Sequence, residues 1–422
     1  MKIFYGWYVV AVACICYGFG ISPAYYSWGF YFPELQAELG FTKADLGLVF
    51  GLFTFIYSAV GPFVGILQRI IGIRACMAIG GAMAGIGFLI VGSADQKWHF
   101  LLGMSVLGGC GIGMSTIIPC QTLGQNWFRK RLGLVIAIIL CSGGVVGFGI
   151  TTFDAWVIEN FQNTWRTGWQ IIACISFATA LLAGICIRDT PEKMGLQRDG
   201  AAKKKDDSDE TTDSAEEVSW APIRAIMTKQ FFLMTIAGVA YAVPWGVVVA
   251  HGRTHLSEQG LETNAIAIIM GSLALISIIG RLSGILGDKI NPRYVIIVGL
   301  ILEGLGAIGF FFSSSFAFTF VCLFFIGIGF GATYVCIPII FSDFFGRAAF
   351  GTTAGTRVLI TGVFNGLAPW ITGMIADATG SYLIPFMSLG VLCGCGAFAV
   401  SLCRHPGPPP SIEEANAEAI AA

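Results

Sequence analysis

Charge is what this sequence has least of. Only 12% of its 422 residues are Asp, Glu, Lys or Arg, about half the ~25% of an ordinary soluble domain. With 55% of the residues hydrophobic, a soluble chain of this size would have more apolar surface than one core buries. That combination excludes a cytosolic globular enzyme and a disordered protein. The four histidines stand in no metal-ligand pattern, and the 13 cysteines include no Cys-x-x-Cys pair. This argues against a zinc or dithiol motif and, with the odd count, against a secreted disulfide scaffold. No Walker sequence is present to drive transport with ATP, and no basic aromatic patch to hold nucleic acid. Neither a metal nor a cofactor is expected. The N-terminal apolar segment has Lys2 as its only positive flank and no small-residue cleavage site, so it is expected to stay as a membrane helix rather than leave as a signal peptide.

What the sequence does have is long apolar runs, and its mean hydropathy is +0.77. A membrane helix needs about 20 apolar residues. Twelve such runs occupy residues 6–31, 45–68, 75–93, 99–123, 133–153, 168–187, 230–252, 263–287, 294–312, 315–341, 350–371 and 382–403. They are continuous and Gly-rich, unlike the ~10-residue alternating strands of a barrel. The prediction is an all-α membrane protein with twelve transmembrane helices. With the N-terminus cytoplasmic, 18 of the 24 Lys and Arg lie inside and four (Lys43, Lys97, Arg166 and Arg253) lie outside. That bias matches the positive-inside rule. A multi-pass protein of the cell (inner) membrane is expected, monomeric, with both termini cytoplasmic. Residues 188–229 are too polar to be embedded and read as a solvated linker with a charge run from Lys203 to Glu217. The tail from 404, with Pro408, Pro409 and Pro410, reads as disordered.

The linker separates two halves, 1–187 and 230–403, that resemble each other. GILQRIIGIR, from Gly65 to Arg74, recurs as GILGDKINPR, from Gly284 to Arg293, at an offset of 219 residues. Gly111, Gly113 and Pro119, followed by Trp127-Phe128-Arg129-Lys130-Arg131, have counterparts in Gly329, Gly331 and Pro338, followed by Phe344-Phe345-Gly346-Arg347. Six-helix repeats with a substrate site between them are one transporter plan.

Those two loops resemble the signature of the major facilitator superfamily, with Arg69 where the first copy's Asp is expected and Asn291 for a Gly in the second. Tyr5-Gly6-Trp7, Asn126-Trp127-Phe128, Pro191-Glu192-Lys193-Met194-Gly195, Gly280-Arg281 and Asp377-Ala378-Thr379-Gly380-Ser381-Tyr382 are similar to the monocarboxylate transporter family, bacterial branch, with the oxalate/formate antiporters close by. The resemblance implies two pseudo-symmetric six-helix halves, with Arg281 binding a carboxylate and Asp288 steadying an inner gate with neighbouring arginines such as Arg131. It also implies an acid one turn before Arg281, where this chain has Ser277.

Ionisable residues inside hydrocarbon need a partner or a watery cavity. Arg281 has no acidic residue one turn away. A guanidinium stays charged and grips a carboxylate with two parallel bonds, so Arg281 reads as the anchor, the alternative being an interhelical salt bridge. His251 has the chemistry of a proton carrier and is expected beside Arg281, or else facing the outer water. His255 reads as loop. Arg357 is either an inner-gate residue or a second anchor suited to a dicarboxylate. Glu303, read as the only acid well inside a span, is expected to be structural. Tyr25 and Tyr334, with Ser277, are the expected substrate contacts. The predicted function is secondary transport of a small monocarboxylate such as lactate or pyruvate, with a co-transported proton. The rival is a two-arginine carboxylate exchanger.

Overall fold

The computed structural model describes residues 4–162, 164–200, 220–282 and 290–407. Among these, twelve helices are long and apolar enough to cross a membrane. They are α1 (Tyr5–Phe30), α2 (Lys43–Ile71), α3 (Ile73–Gly92), α4 (Lys97–Trp127), α5 (Leu132–Asn160), α6 (Thr164–Cys186), α7 (Lys229–Glu258), α8 (Thr263–Arg281), α9 (Pro292–Phe311), α10 (Phe316–Gly346), α11 (Ala349–Thr379) and α12 (Leu383–Leu402). The chain is therefore all-α, as predicted. In hydrocarbon only a helix or a closed barrel satisfies every backbone group.

The helix ends follow from local chemistry. Thr42 and Asp45 form a capping box at the start of α2, which satisfies two orphan N–H groups. Gly346, at φ 75°, separates α10 from α11. Within α4, a π-helical stretch Leu101–Gly108 precedes a break at Thr116. Pro119 explains the break, because its ring clashes with the carbonyl four residues back.

The two halves pack alike. The Cβ of a residue at Gly80 in α3 would lie 2.7 Å from the Gly111 carbonyl oxygen of α4. At Gly299 in α9, the position related by the repeat offset, it would lie 3.1 Å from the Gly329 carbonyl oxygen of α10. Only glycine allows backbones so close, and its recurrence at the repeat spacing carries the sequence symmetry into the packing.

Loops 31–42, 259–262 and 380–382 share one end of the bundle, here the distal face; both termini lie at the other, the terminal face. The halves meet along α1–α7, α2–α11 and α5–α8. On the α2–α11 seam the Thr54 hydroxyl reaches the Asn365 carbonyl near mid-helix at 3.5 Å, and on the α5–α8 seam Arg281 reaches the Leu140 carbonyl. Beyond Thr54, Phe63, Ile66 and Ile70 of α2 are exposed. The molecule is shut at its distal face.

Several expectations change here. α5, α7 and α11 run past their predicted ends to Asn160, Glu258 and Thr379. Arg253 and His255, expected outside α7, lie within it and are buried. Hydropathy stops at a charge, whereas the fold neutralises it: Arg253 donates to both oxygens of Glu34, at 2.8 and 2.9 Å. Glu303 is not the only buried acid, since Asp154 of α5 is equally inaccessible. The 203–217 charge run and the proline tail from Pro408 fall outside the described residues.

The described part of the linker docks on the first half. Asp189 accepts the Arg74 backbone N–H at 2.8 Å and the Lys193 ammonium at 2.7 Å. Burial pushes the Asp189 carboxyl up, but Lys193 and the N–H groups of Arg74 and Ile73 outweigh it and hold it below its ordinary value. A group depressed in the folded state stabilises fully above its unfolded pKa and loses that contribution as pH falls through the folded one. The thermal unfolding midpoint in detergent is expected to drop below about pH 4, and Asp189→Asn to weaken that acid dependence. An unchanged acid limb in the variant would show that this contact contributes nothing.

Candidate functional site

The centre of the molecule is built from aromatic rings and two arginines. Arg281 ends α8, where its Nη1 donates to the Leu140 carbonyl of α5 at 2.8 Å. Its buried Nε has no partner among the described residues. The guanidinium lies 5.3 Å from the ring centre of Tyr334. Tyr17 and Tyr26 of α1 are within electrostatic range of the same cation.

Tyr334 is held in an aromatic file. It stacks on Phe330 with ring centres 5.8 Å apart, and Phe330 stacks on Trp245 of α7 at 3.9 Å. Tyr241 closes on both Phe330 and Tyr334. One turn separates Phe330 from Tyr334, so α10 presents both rings on one face. Tyr25, across in the first half, packs edge-on against Phe50, Phe53 and Tyr57. Tyr25 thus belongs to a ring cluster of the first half, and Tyr334 to one of the second.

Arg357 of α11 is buried, and neither its Nε nor its Nη1 has a partner. Its guanidinium lies 5.6 Å from the ring centre of Phe341. Thr361 and Asn365 follow at helical spacing, and Thr361 Oγ1 and Asn365 Oδ1 are likewise buried and unpartnered. This polar stripe faces the glycines of α7: Cβ atoms at Gly238 and Gly246 would lie 3.1 Å from Arg357 Nη1 and 2.3 Å from Asn365 Oδ1. Sequence reasoning missed Thr361 and Asn365, although their four-residue spacing after Arg357 was a signal.

Other expected residues sit elsewhere. The Ser277 hydroxyl donates to the Ala274 carbonyl of its own helix at 2.7 Å. Arg131 is exposed at the start of α5 and does not meet the buried Arg357. Asp288 lies outside the described residues. Glu303 is sealed among α9, α10 and α12, with no partner for either carboxyl oxygen.

His251 is not brought to Arg281. It is fully buried in the distal seal, with Nε2 at 2.8 Å from the Pro369 carbonyl oxygen and Nδ1 at 3.3 Å from the Tyr382 hydroxyl. Ten residues of helix separate it from Tyr241, the α7 ring nearest the arginines, about 15 Å of rise. His255, one turn on, meets the Phe310 and Phe311 carbonyls instead of solvent.

The seal around His251 is polar as well as tight. Lys43 pairs with Glu258 at 2.6 Å across the halves. The Asp377 carboxylate accepts the backbone N–H groups of Lys43 and Ala44 at 3.1 and 2.8 Å, so an acid of α11 caps α2 of the other half. A side-chain cap contributes about 0.5–2 kcal/mol. Asp377→Ala should therefore shift the equilibrium roughly 2- to 30-fold toward a parted distal face, measured as a longer distance between spin labels on the two halves. No change in that distance would remove Asp377 from the gate.

Among the described residues no group of three His, Cys, Asp or Glu is placed to hold a metal ion. The arrangement suits binding and release: a cationic, ring-lined centre below a closed door.

The profile of the Major Facilitator Superfamily matches residues 9–292 and 282–421. The chain is 23% identical over 412 residues to monocarboxylate transporter 13 of Rattus norvegicus, covering 95% of this chain and 89% of that one. It is 25% identical over 390 residues to the probable sulfoacetate transporter SauU of Cupriavidus necator, covering 89% and 88%. Among solved structures, a bacterial homolog of the human lysosomal transporter Spinster shares the fold, with a TM-score of 0.70 at 17% identity over 95% of this chain and 93% of that one.

Proposed function

The chain belongs to the Major Facilitator Superfamily and is a membrane transporter rather than an enzyme; from that premise we propose that it moves small carboxylates, with Arg281 as the anchor. One observation carries the reading. Among the described residues, this permanently charged guanidinium has a single backbone carbonyl for a partner and a buried Nε with none. Such a cation is costly unless an anion completes it. A carboxylate does so with two parallel bonds. Tyr334 stands beside it to donate a hydroxyl hydrogen, and Tyr25 bounds the pocket from the other half.

A ring-lined, cationic centre suits a compact, partly apolar acid such as lactate or pyruvate. A relative named as a monocarboxylate transporter supports that class. A proton moving with the anion would keep the loaded centre from gaining negative charge, which eases passage through the low-dielectric interior. His251 belongs to the distal seal in this reading. The Lys and Arg bias makes the terminal face cytoplasmic, and a monomer suffices because both anchors lie in one chain.

Arg357 favours a second reading. Its free Nε and Nη1, beside Thr361 and Asn365, fit a second acidic group, as in a dicarboxylate or a sulfonated acid. A relative named for sulfoacetate supports that class.

Proteoliposomes containing the full chain separate the two. Accumulation of labelled L-lactate that needs an inward proton gradient supports proton-linked monocarboxylate transport. Exchange of labelled oxalate or sulfoacetate, indifferent to the gradient and lost in Arg357→Gln, supports the dianion. Uptake of none of these acids overturns the carboxylate reading.

A further inference from the structure

The distal seal contains a charge cluster that the carboxylate site does not use. Asp154 of α5 is fully buried; its Oδ1 accepts the Tyr31 hydroxyl at 2.8 Å, and Oδ2 has no partner. Arg253 of α7, almost as buried, has both Nη groups on Glu34, at 2.8 and 2.9 Å, and its guanidinium covers the Phe30 ring at 4.5 Å. Glu34 belongs to the short helix Phe32–Leu39 that follows α1. The Arg253–Glu34 pair therefore ties one half to the other.

The groups facing Asp154 are Ser27 and Tyr31 from α1, Glu34 from the short helix and Arg253 from α7. The Ser27 hydroxyl faces it without closing a hydrogen bond. α6 brings Gly168 and Trp169 against Tyr31, and α8 brings Ala267 and Gly271 against Thr151, one turn below Asp154. None of these four carries charge.

The cluster holds two carboxyls and one guanidinium. With the distal face shut, Arg253 and Glu34 neutralise each other, and Asp154 has the Tyr31 phenol and the facing Ser27 hydroxyl but no cation of its own. A carboxylate left so placed is an unpaired buried charge, which proteins avoid by neutralising the group. With the face open, the Arg253–Glu34 pair is broken and water reaches all three. We propose that closing the distal face binds one proton on Asp154, so that the halves shut over a neutral cluster. The proton comes from water on the distal side and forms an O–H bond at Oδ2, while the Arg253–Glu34 pair forms with no proton transfer. The proton is thus a ligand of the closed state. This inference rests on the halves alternating and not on which acid is carried.

The sign follows. A group protonated in the closed state and ionised in the open one makes acid favour closure, by up to about tenfold per pH unit. The test uses the full chain in liposomes, with spin-labelled unnatural amino acids at Gln36 and Glu262, exposed distal positions on opposite halves. Interlabel distances are read from about pH 5.5 to about 8.5. The wild type is expected to move from closed to open as pH rises. Asp154→Asn, nearly the same shape with no proton to lose, is expected to stay closed throughout. Glu34→Gln, which leaves one carboxyl for the one guanidinium, is expected to flatten the titration. A wild-type distribution that ignores pH overturns the proposal without recourse to any variant, and so does a wild-type slope in Asp154→Asn. Because no substrate is added, failure here is distinct from failure of the carboxylate reading.

Discussion

Arg281→Ala is expected to lower carboxylate uptake by about 100-fold or more, at unchanged amounts of folded protein. Truncating one partner of a buried, hydrogen-bonded charge pair costs about 2–5 kcal/mol, roughly 30- to several-thousand-fold in the equilibrium it controls. What Arg281 does for the fold is smaller. It donates one hydrogen bond to the Leu140 carbonyl and lies 5.3 Å from the Tyr334 ring. These are contacts of about 0.5–1.5 kcal/mol and about 0.5–1 kcal/mol, respectively. Arg281→Lys is expected to fall between, since an ammonium keeps the charge and loses the planar fork. Initial uptake rates in proteoliposomes, set beside thermal midpoints, separate the roles. Wild-type uptake by Arg281→Ala would sink the anchor.

The second large effect lies on the α2–α11 seam. Gly51→Leu is expected to hold the distal face open and cut transport more than about tenfold while binding from that face persists. A Cβ at Gly51 would sit 1.9 Å from the Gly366 carbonyl oxygen, and one at Gly47 would sit 2.1 Å from that of Pro369. Backbone on α11 has no rotamer with which to move aside. Overpacking costs about 1–3 kcal/mol, and here it burdens one state only, because the two helices part when the distal face opens. Against a gap of a few kcal/mol between states, that is roughly a 5- to 150-fold change in population. Gly51→Ala is informative too: alanine improves an isolated helix by about 1 kcal/mol, so any loss of transport comes from the seam. Label distances matching the closed wild type would refute the argument.

Much of this was legible in the residues. Twelve spans follow from hydropathy because the bilayer is a uniform solvent and each helix satisfies its own backbone. The repeat was visible in Gly65–Arg74 and Gly284–Arg293 because both halves solve one packing problem. Arg281 stood out because an intramembrane cation without a nearby acid is rare. The errors share one cause. Arg253 and His255 were expected outside α7, and Asp154 was overlooked, because their partners, Glu34, the Phe310 and Phe311 carbonyls and Tyr31, lie on helices remote in sequence.

The sequence by itself determined the class of solvent, the number of helices, the two-fold repeat and a cation in the eighth span with no acid one turn away. These are local or periodic properties, readable one helix at a time. Only the tertiary structure decided that His251 belongs to the door and not to the anchor. It alone decided that Arg357 heads a polar stripe with Thr361 and Asn365, and that Asp154 shares a cluster with Arg253 and Glu34. Whether a buried polar group is paired depends on what faces it across a helix seam, and no pattern along one strand of residues contains that information.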